Sequence, residues 1–259
     1  MLRTDRWRPL VPAGVSVSHP KITAGTLGCY LWLNGKAYIV SNSHVIADFG
    51  QGKIGDDIIQ PGSFDGGQDP QDTIAHLSWF SPYNQAGENK LDIATAEVLP
   101  QYVDDRIISL QTGTQLASVM PADARIGERV IKSGRTTGIT VGQVANTSVS
   151  VAVGGFPWGQ LIFDDCLLID GLCQGGDSGS AVISVDSGNL VGLLFAGSAQ
   201  EYYAIKISNI IQALGQQPQF RPLTASPQPA ESPWLIPVMG GILGLVVLGM
   251  VLSGGGSRK

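Results

Sequence analysis

The 259-residue sequence predicts an all-β protein. It contains 34 glycines, while only 14% of its residues are charged, and this composition suits a fold with many turns better than a helical or disordered chain. Short apolar runs alternate with turn residues, and Asn34-Gly35 between two of these runs is the strongest short signal for a β-hairpin. An all-β chain of this length is compatible with one domain. The net charge of −5, without a basic cluster, argues against a nucleic-acid partner.

The strand-like runs fall into two groups along the chain. The first group consists of Thr26–Trp32, Lys36–Val40, Ile54–Gln60, Thr73–Phe80 and Leu91–Leu99. An irregular segment, Pro100–Pro121, is expected to cross to the second group. That group consists of Glu128–Lys132, Gly138–Val151, Gln160–Ile169, the runs around Ala181–Ile183 and Val191–Gly197, and Tyr202–Ile207. A short helix, Ser208–Leu214, follows, with Ser208 as its N-cap and Gly215 beyond its end.

A glycine-rich turn, Gly175–Ser180, lies between two apolar runs and contains the candidate nucleophile Ser178. A serine in such a turn exposes its hydroxyl, and the glycines let backbone N–H groups crowd one point, as an oxyanion requires. An ordinary hairpin turn is the alternative interpretation, because Gly, Asp and Ser are common turn residues.

The order of the candidate base, acid and nucleophile along the chain limits which catalytic triads are compatible with the sequence. The histidines are His19, His44 and His76, and none follows Ser178, so the order Ser…Asp…His is excluded. His44 lies at the end of a strand-like run and before Val45-Ile46-Ala47, a position that suits a general base, although a structural histidine is the alternative. We interpret His19 and His76 as bystanders. Asp92 lies inside the apolar run Leu91–Ala94, where a carboxylate needs a partner such as an imidazole N–H; a strand-edge aspartate facing water is the alternative.

Three short motifs resemble those of the trypsin/chymotrypsin-like serine peptidases. They are Ser43–Ala47, Leu91–Ala94 and Gly176–Ser180, in the order His, Asp, Ser, and the late run Val191–Gly197 also matches. Within that family, Thr23–Gly28 and Gly134–Gly138 are similar to a bacterial-type branch that is also related to the plant Narrow-leaf peptidases.

The resemblance implies a fold of two orthogonal six-stranded Greek-key barrels over about Val15–Leu214, with the site in the cleft between them. It implies a catalytic triad of His44, Asp92 and Ser178, and an oxyanion hole formed by the N–H groups of Gly176 and Ser178. It also implies a substrate pocket lined by Phe195, Ala196 and Gly197. No charged residue is placed at the pocket floor, so an apolar or small substrate side chain is expected, and no cofactor or metal is expected.

Asp177 raises a separate question under this resemblance. In trypsin the corresponding aspartate pairs with the amine freed by zymogen activation. Here Ile22 lies too close to His44 for an inserted N-terminus plus a barrel strand, so no zymogen step is expected and Asp177 needs another partner. The extra glycine in Cys173–Gly176 leaves open a shifted oxyanion hole or pocket floor. Phe156-Pro157-Trp158 is predicted in a loop, where the aromatic rings either line the cleft or, as we favour, pack in the core.

The cysteines and the aspartate-rich loop do not predict a disulfide framework or a recognisable calcium loop. The cysteines are Cys29, Cys166 and Cys173, and their odd number argues against a disulfide framework, so we favour three buried thiols, with a Cys166–Cys173 pair as the alternative. Asp65, Asp69 and Asp72 lie in one Gly-rich loop, but their spacing matches no known calcium loop.

The C-terminal part changes character. Residues 1–14 are interpreted as an N-terminal extension and 15–215 as the peptidase domain. Gln216–Pro233 is rich in proline and predicts an extended linker, followed by the uncharged span Trp234–Leu252, which at about 1.5 Å per residue fits a transmembrane helix, and by a short tail at 253–259. Gly240 and Gly244 have the GxxxG spacing of a weak dimer face. A single C-terminal anchor with the peptidase on the cytoplasmic face is favoured, although the positive charges of the tail argue the other way.

The function predicted from the sequence is therefore a membrane-anchored serine endopeptidase acting on protein or peptide substrates. Two alternatives remain open. One is a catalytically silent, membrane-tethered binding module on the same fold, and the other is an esterase or self-cleaving hydrolase that uses the same serine.

Overall fold

Two largely antiparallel sheets, one from each half of the chain, carry the fold. The structure is a computed structural model that describes residues 1–107, 120–215 and 218–220. The described chain is mostly β-structure with few helices, which confirms the predicted all-β class.

The first half contributes ten strands and one helical turn to the described chain. They are β1 (Val11–Ala13), β2 (Ser16–Val17), β3 (Gly25–Thr26), β4 (Cys29–Leu33), β5 (Lys36–Ser41), α1 (Ser43–Ile46), β6 (Asp57–Ile59), β7 (Thr73–Phe80), β8 (Glu88–Asn89), β9 (Ala94–Val98) and β10 (Val103–Ile107). Short 3-10 turns lie at Ser63–Asp65 and Pro100–Tyr102. Strands β4-β5-β9-β7-β6 form the main sheet, and β2 pairs with β3 beside it.

The first sheet has five strands in the described residues rather than the six expected. The predicted run Thr26–Trp32 is interrupted, because Thr26 pairs with Ser16 while Cys29 begins the main sheet opposite Val40. Gly28, between them, passes so close to the nucleophile turn that a Cβ there would lie 2.2 Å from the carbonyl oxygen of Gly179. The predicted hairpin at Asn34-Gly35 is confirmed, with φ of 50° and 81° at the two turn residues.

The second half forms a ring of six strands. They are β11 (Arg129–Gly134), β12 (Gly138–Phe156), β13 (Gly159–Asp170), β14 (Ala181–Ser184), β15 (Leu190–Gly197) and β16 (Glu201–Lys206), and helix α2 (Ile207–Leu214) follows. They are ordered β12-β11-β14-β15-β16-β13, and the pairing of β12 with β13 closes the ring. Strand β8 of the first half adds to β13 in parallel. The long β12–β13 hairpin thereby contacts both halves of the protein.

Several predicted boundaries are wrong in ways that affect the site. Asp92 lies just before β9 rather than inside a strand, so its carboxylate is held by a loop and not by the alternation of a sheet. Strand β12 continues to Phe156 instead of ending at residue 151. Lys206, not Ser208, is the N-cap of α2, since Ser208 already has helical geometry, whereas Gly215 ends the helix with φ 62° as predicted.

The apolar core runs through both sheets. It includes Tyr30 and Ile39 of the first half and Phe163 and Leu193 of the second in one buried cluster. A smaller cluster lies within the second ring. The two halves are therefore packed against each other through one apolar cluster.

Both ends of the predicted peptidase domain continue into neighbouring segments. The first residues pack onto the domain, because β1 pairs with β10 and the buried guanidinium of Arg3 donates to the carbonyl of Gly14 and to Ser133 Oγ. Beyond α2, Gln219 bonds Trp32 of β4 and Phe220 is buried. No helix in the described ranges is long and apolar enough to cross a membrane. The predicted anchor Trp234–Leu252, the pair Gly240 and Gly244, the tail and most of the linker lie outside those ranges.

Candidate active site

A buried carboxylate holds the candidate base. Asp92 is fully buried, and its Oδ2 lies 2.5 Å from Nδ1 of His44, while its Oδ1 accepts the backbone N–H of His44 at 3.1 Å. A carboxylate at Nδ1 selects the tautomer in which Nδ1 carries the proton and Nε2 has a free lone pair. The helical turn α1 positions His44 with 19% of its side chain exposed, so the ring remains accessible from the cleft.

Two further groups hold Asp92 in place. The hydroxyl of Tyr83 donates to Oδ1 at 2.5 Å, and the side-chain amide of Asn42 donates to the Asp92 carbonyl at 2.7 Å. Desolvation of the hydroxyl, followed by the charge of Asp92, raises the pKa of Tyr83 well above its ordinary value. Tyr83 therefore stays protonated and remains a donor to the carboxylate.

Ser178 opens onto the same cavity as His44. Its side chain is half-buried, and its Oγ donates to the carbonyl of Phe195 at 3.4 Å. No hydrogen bond joins Ser178 Oγ to His44 in this arrangement of the described residues. The structure thus brings the candidate base and the candidate nucleophile to one cavity, with the hydroxyl turned toward β15.

The two predicted oxyanion donors make no hydrogen bond within the described part of the chain. Neither the N–H of Gly176 nor that of Ser178 has an acceptor among the residues that the structure describes, while the intervening N–H of Asp177 donates to the carbonyl of Gln174. Gly176 has φ of 94°, a left-handed conformation that side chains disfavour, and a Cβ there would lie 2.5 Å from Thr136 Oγ1. The turn therefore requires glycine at this position.

Lys132 supplies the partner that Asp177 needs. Both side chains are fully buried, and Nζ of Lys132 lies 3.2 Å from Oδ2 of Asp177. Oδ1 accepts the backbone N–H groups of Thr136 at 2.9 Å and Thr137 at 3.0 Å, and Oδ2 accepts the hydroxyl of Thr137 at 2.6 Å. The ammonium of Lys132 in β11 is thus a buried cationic partner of Asp177.

The buried pair shifts both pKa values. Burial by itself would raise the pKa of Asp177, but the charge of Lys132 and the hydrogen bonds of Thr137 outweigh it, so the pKa is lowered. Desolvation lowers the pKa of Lys132 against the opposing effect of Asp177. The pair ties Asp177, the residue before Ser178, to strand β11.

The cavity in the cleft has a volume of about 330 Å³. The predicted pocket residues Phe195, Ala196 and Gly197 all line it, together with the thiol-bearing Cys173. Burial, followed by the charge of Asp177, raises the pKa of Cys173 to about 11, so this thiol is protonated at neutral pH. No lysine or arginine lines the cavity in the described part of the chain.

Two aromatic rings flank the imidazole. Phe49 and Phe156 have ring centroids 6.1 and 6.3 Å from that of His44 and lie 5.9 Å from each other. Phe156, at the end of β12, is 8% exposed and lines the cavity, so it serves both as a core residue and as a cleft wall. Asp48 and Phe49 have φ of 49° and 55°, a strained pair of left-handed residues next to the site.

The other polar candidates lie away from the cleft. His19 Nε2 is 3.2 Å from Asp56, and His76 Nδ1 is 2.8 Å from Asp57. Asp65 pairs with Arg135, and Asp72 pairs with Arg6 and Arg8. Within the described ranges no cluster of acidic, histidine or cysteine side chains could hold a metal ion, and the three cysteines are free and buried.

Some residues that contact the candidate site have no distinctive pattern in the sequence. Tyr83 lies in an ordinary-looking loop nine positions before Asp92, and Phe49 follows the histidine in a turn. Lys132 could have been found, because it is a charged residue that directly follows the apolar pair Val130-Ile131 at the end of the predicted strand Glu128–Lys132. Such a charge needs a buried partner of opposite sign.

Comparisons with known proteins identify the family and the fold. The family model described as a trypsin-like peptidase domain matches residues 27–193. Protease A of Thermobifida fusca is similar, with a TM-score of 0.62, 14% identity, and coverage of 82% of this chain and 100% of that chain. The chymotrypsin of Cellulomonas bogoriensis has a TM-score of 0.60, 18% identity, and coverage of 83% and 99%. A glutamic acid specific serine protease that uses a histidine triad in substrate binding has a TM-score of 0.62, 17% identity, and coverage of 82% and 100%. No curated protein sequence matches. At these identities the structural likeness shows a chymotrypsin-like fold.

Proposed function

Because this chain belongs to the trypsin-like peptidase family and has a chymotrypsin-like fold, we propose that it is a serine endopeptidase that forms an acyl-enzyme on Ser178. One observation carries the proposal: the imidazole of His44 is held at Nδ1 by a fully buried carboxylate, 2.5 Å away, and lines the same cavity as Ser178. A base with a fixed tautomer beside a cleft serine is the arrangement that acyl transfer requires.

The reaction follows from the roles of these groups. In acylation, His44 Nε2 takes the proton of Ser178 as Oγ bonds to the scissile carbonyl carbon, and then passes it to the leaving amine as the C–N bond breaks. Asp92 keeps the proton on Nδ1 and stabilises the imidazolium. In deacylation, water gives its proton to Nε2 as its oxygen bonds to the ester carbonyl carbon. The bond from that carbon to Ser178 Oγ then breaks, Nε2 returns the proton to Oγ, and the carboxylic acid product leaves. The N–H groups of Gly176 and Ser178 would bind the oxyanion in both steps.

The hydroxyl of Ser178 must rotate before this chemistry begins. It now donates to the carbonyl of Phe195, and rotation about one side-chain bond turns it toward the cleft. Rotations of this kind take picoseconds to nanoseconds, and catalytic hydrogen bonds in unliganded enzymes are often unformed. The same observation favours the second candidate, a binding module without turnover, so the experiment below separates the two.

The cavity supports a substrate with an uncharged side chain next to the scissile bond. Its described walls combine Phe195, Ala196 and Gly197 with other apolar and glycine residues, the neutral amide of Gln174 and the candidate residues His44 and Ser178. They contain no lysine, arginine or carboxylate. An acidic side chain would find no cationic partner there, and a basic one would find no carboxylate. We therefore assign an apolar or small side chain to this position and do not carry over the specificity of the glutamate-specific relative.

We also propose that the peptidase is tethered to a membrane by Trp234–Leu252, with the catalytic domain on the cytoplasmic face. The support comes from the sequence: an uncharged span of suitable length follows a proline-rich linker. Digestion by proteinase K added to intact cells tests the sidedness, since a cytoplasmic domain would be protected.

A fluorophosphonate probe tests the proposed activity. We expect the wild-type chain to be labelled at Ser178, labelling to be lost in Ser178→Ala, and labelling to be retained in the exposed control Ser187→Ala. Hydrolysis of a peptide anilide then separates a peptidase from an esterase, and the intact mass of the purified chain reports self-cleavage. A folded wild-type chain that is not labelled would support the binding module.

A further inference from the structure

The nucleophile turn has an alternating pattern of satisfied and free backbone groups. The carbonyls of all four residues from Gly175 to Ser178 accept hydrogen bonds. The N–H groups alternate: those of Asp177 and Gly179 donate to Gln174 and Leu194, whereas those of Gly176 and Ser178 have no acceptor in the described chain. The two free N–H groups are the ones that the proposed reaction uses.

The orientation of each free N–H is set by the carbonyl of the same peptide unit. In a trans peptide the N–H points away from the C=O, so holding the oxygen on one side holds the hydrogen on the other. The N–H of Gly176 belongs to the peptide whose oxygen is on Gly175, and the N–H of Ser178 belongs to the peptide whose oxygen is on Asp177. Whatever binds these two oxygens controls the direction of both donors.

Two side-chain hydroxyls bind these two oxygens. Thr136 Oγ1 donates to the carbonyl of Gly175 at 2.7 Å, and Ser180 Oγ donates to the carbonyl of Asp177 at 2.5 Å. The backbone N–H of Ser180 reaches the same Asp177 oxygen at 3.0 Å. The proposed triad and oxyanion donors use neither hydroxyl, so each hydroxyl is available for a separate task.

Both hydroxyls are fixed by their surroundings. Ser180 is fully buried. Thr136 is exposed, but its Oγ1 also accepts from Nη1 of Arg135 at 3.1 Å, and the guanidinium of Arg135 pairs with Asp65 of the first half. An oxygen that accepts on one side and donates on the other has a defined rotamer, so the Gly175 carbonyl is held despite the exposure of Thr136.

We propose that Thr136 and Ser180 are positioning residues of the oxyanion hole: their hydroxyls hold the carbonyls of Gly175 and Asp177 away from the cleft, and thereby aim the N–H groups of Gly176 and Ser178 at the substrate oxyanion. This inference rests on the proposed peptidase function. If the Thr136 hydroxyl is removed, the Gly175 carbonyl loses its hydrogen bond, and the glycine pair Gly175-Gly176 offers little resistance to rotation of that peptide. If the Ser180 hydroxyl is removed, the Asp177 carbonyl keeps only the backbone N–H of Ser180, so its peptide is held by one hydrogen bond instead of two. A rotated peptide would direct a carbonyl oxygen at the developing negative charge.

The variants Thr136→Val and Ser180→Ala test the proposal. Thr136→Val keeps the β-branched shape without the hydroxyl, and Thr136→Ser restores the hydroxyl. Thr140→Val is a matched control, since Thr140 Oγ1 also donates to a carbonyl, that of Leu172, but outside the turn Gly175–Ser178. Ser184→Ala is the control for Ser180→Ala, because Ser184 is equally buried and its hydroxyl binds the N–H of Ser187.

The readouts are kcat and KM for the p-nitrophenyl ester of N-acetylalanine, and the inhibition constant of the corresponding alanine boronic acid. We expect kcat to fall about tenfold in each variant with KM unchanged, below the roughly 100- to 1,000-fold loss seen when an oxyanion donor is removed outright. Boronate affinity, which reports the tetrahedral geometry, should fall by the same factor as kcat. Thr136→Ser and both controls should keep wild-type values.

The outcomes separate this inference from the proposed function. If the wild-type chain turns over substrate and the kcat of Thr136→Val and Ser180→Ala equals its kcat, the positioning role is overturned and the peptidase proposal stays intact. A rise in KM without loss of kcat would also overturn it, because the hydroxyls would then act on substrate binding. If Ser180→Ala fails to fold, the exposed Thr136→Val decides alone. A wild-type chain without turnover or fluorophosphonate labelling would refute the peptidase and the positioning role together.

Discussion

The hydroxyl of Tyr83 donates a hydrogen bond to Oδ1 of Asp92, 2.5 Å away, and this oxygen also accepts the backbone N–H of His44. The other carboxylate oxygen binds Nδ1 of the same histidine. Tyr83 therefore acts on the imidazole only through Asp92, as a residue that positions the carboxylate and withdraws part of its negative charge. Since its pKa lies well above the ordinary value, this effect is constant over the pH range in which a serine peptidase works.

Replacing Tyr83 by phenylalanine should change both stability and the pH profile. The buried carboxylate loses a donor, which typically costs about 1.5–3 kcal/mol in the free energy of unfolding when a charged group is involved. The remaining charge on Asp92 stabilises the protonated imidazole more strongly, so the acid limb of the kcat/KM profile should move to higher pH. Urea unfolding and a pH–rate series measure the two effects.

Tyr203→Phe is the control for Tyr83→Phe, since Tyr203 donates to Glu201 at 2.9 Å away from the cleft. It should leave the pH profile unchanged. A Tyr83→Phe profile that coincides with the wild-type profile would show that Tyr83 has a packing role alone.

Lys132→Met should unfold or strongly destabilise the chain. Removing one member of a buried ion pair leaves the other charge without compensation, which typically costs about 3–5 kcal/mol. Asp177 would keep its threonine contacts but lose the cation 3.2 Å away. Because Asp177 precedes the nucleophile, fluorophosphonate labelling should slow even in the folded fraction, and a urea titration with parallel labelling separates the two losses.

Lys36→Met is the matched control for Lys132→Met, because Lys36 pairs with Glu97 on the surface with 61% of its side chain exposed. Exposed pairs contribute little, so stability and labelling should stay at wild-type levels. Similar effects of the two substitutions would contradict the assignment of Lys132 as the partner of Asp177.

The three candidate catalytic residues can be predicted from the sequence more directly than the residues that support them. His44, Asp92 and Ser178 are chemically conspicuous, because a histidine after a strand, a carboxylate in an apolar run and a serine between glycines each need a reason. Asn34-Gly35 likewise predicts its hairpin, since both residues accept positive φ. These signals are local, and the order of the motifs along the chain indicates that the three residues belong to one site.

The residues that support the site depend on contacts between distant segments. Thr136 and Gly175 are 39 positions apart, and Tyr83 meets Phe156 only because the β12–β13 hairpin reaches the first half. The hydrophobic periodicity of a sequence does not predict contacts between such distant segments. The break between β3 and β4 was missed for the same reason, as it is imposed by the close approach of Gly28 to Gly179 rather than by local propensity.

The contacts of Asp165 indicate how low pH should affect the stability of the second half of the chain. Its carboxylate accepts from Lys206, from Ser148 at 2.8 Å and from Asn209 at 3.1 Å, tying β13 to β16 and α2. Burial opposes the shift, but these contacts lower its pKa from 3.8 to about 2. A lowered folded-state pKa adds stability that is present above the unfolded value and is lost as the pH falls through the folded one.

Asp165→Asn should therefore be less stable than wild type above about pH 4, and the difference should vanish as the pH falls toward about 2. Urea unfolding at several pH values measures the gap. Asp164→Asn controls for the loss of one surface charge, since the partner of Asp164 is the neutral hydroxyl of Ser150. A gap that is independent of pH would show that the contacts of Asp165 do not depend on its charge.

The proposed membrane tether makes a prediction for the C-terminal span. After alkaline carbonate extraction, the full chain should sediment with membranes. Leu245→Arg places a charge near the middle of Trp234–Leu252 at a cost of about 2.5–3.5 kcal/mol and should release part of the chain, whereas Leu223→Arg in the proline-rich segment should not. Release of the wild-type chain by carbonate would contradict the tether.

The most direct test of the central claim is the mass of the acyl-enzyme. Full-length protein mixed with an excess of N-acetylalanine p-nitrophenyl ester and quenched in acid within one turnover should gain one N-acetylalanyl group, which peptide mapping should locate on Ser178, and the adduct should be absent from Ser178→Ala and scarce in His44→Ala. If the folded wild-type chain gains no such mass, or if the adduct persists in Ser178→Ala, the acyl-transfer account of this site is wrong.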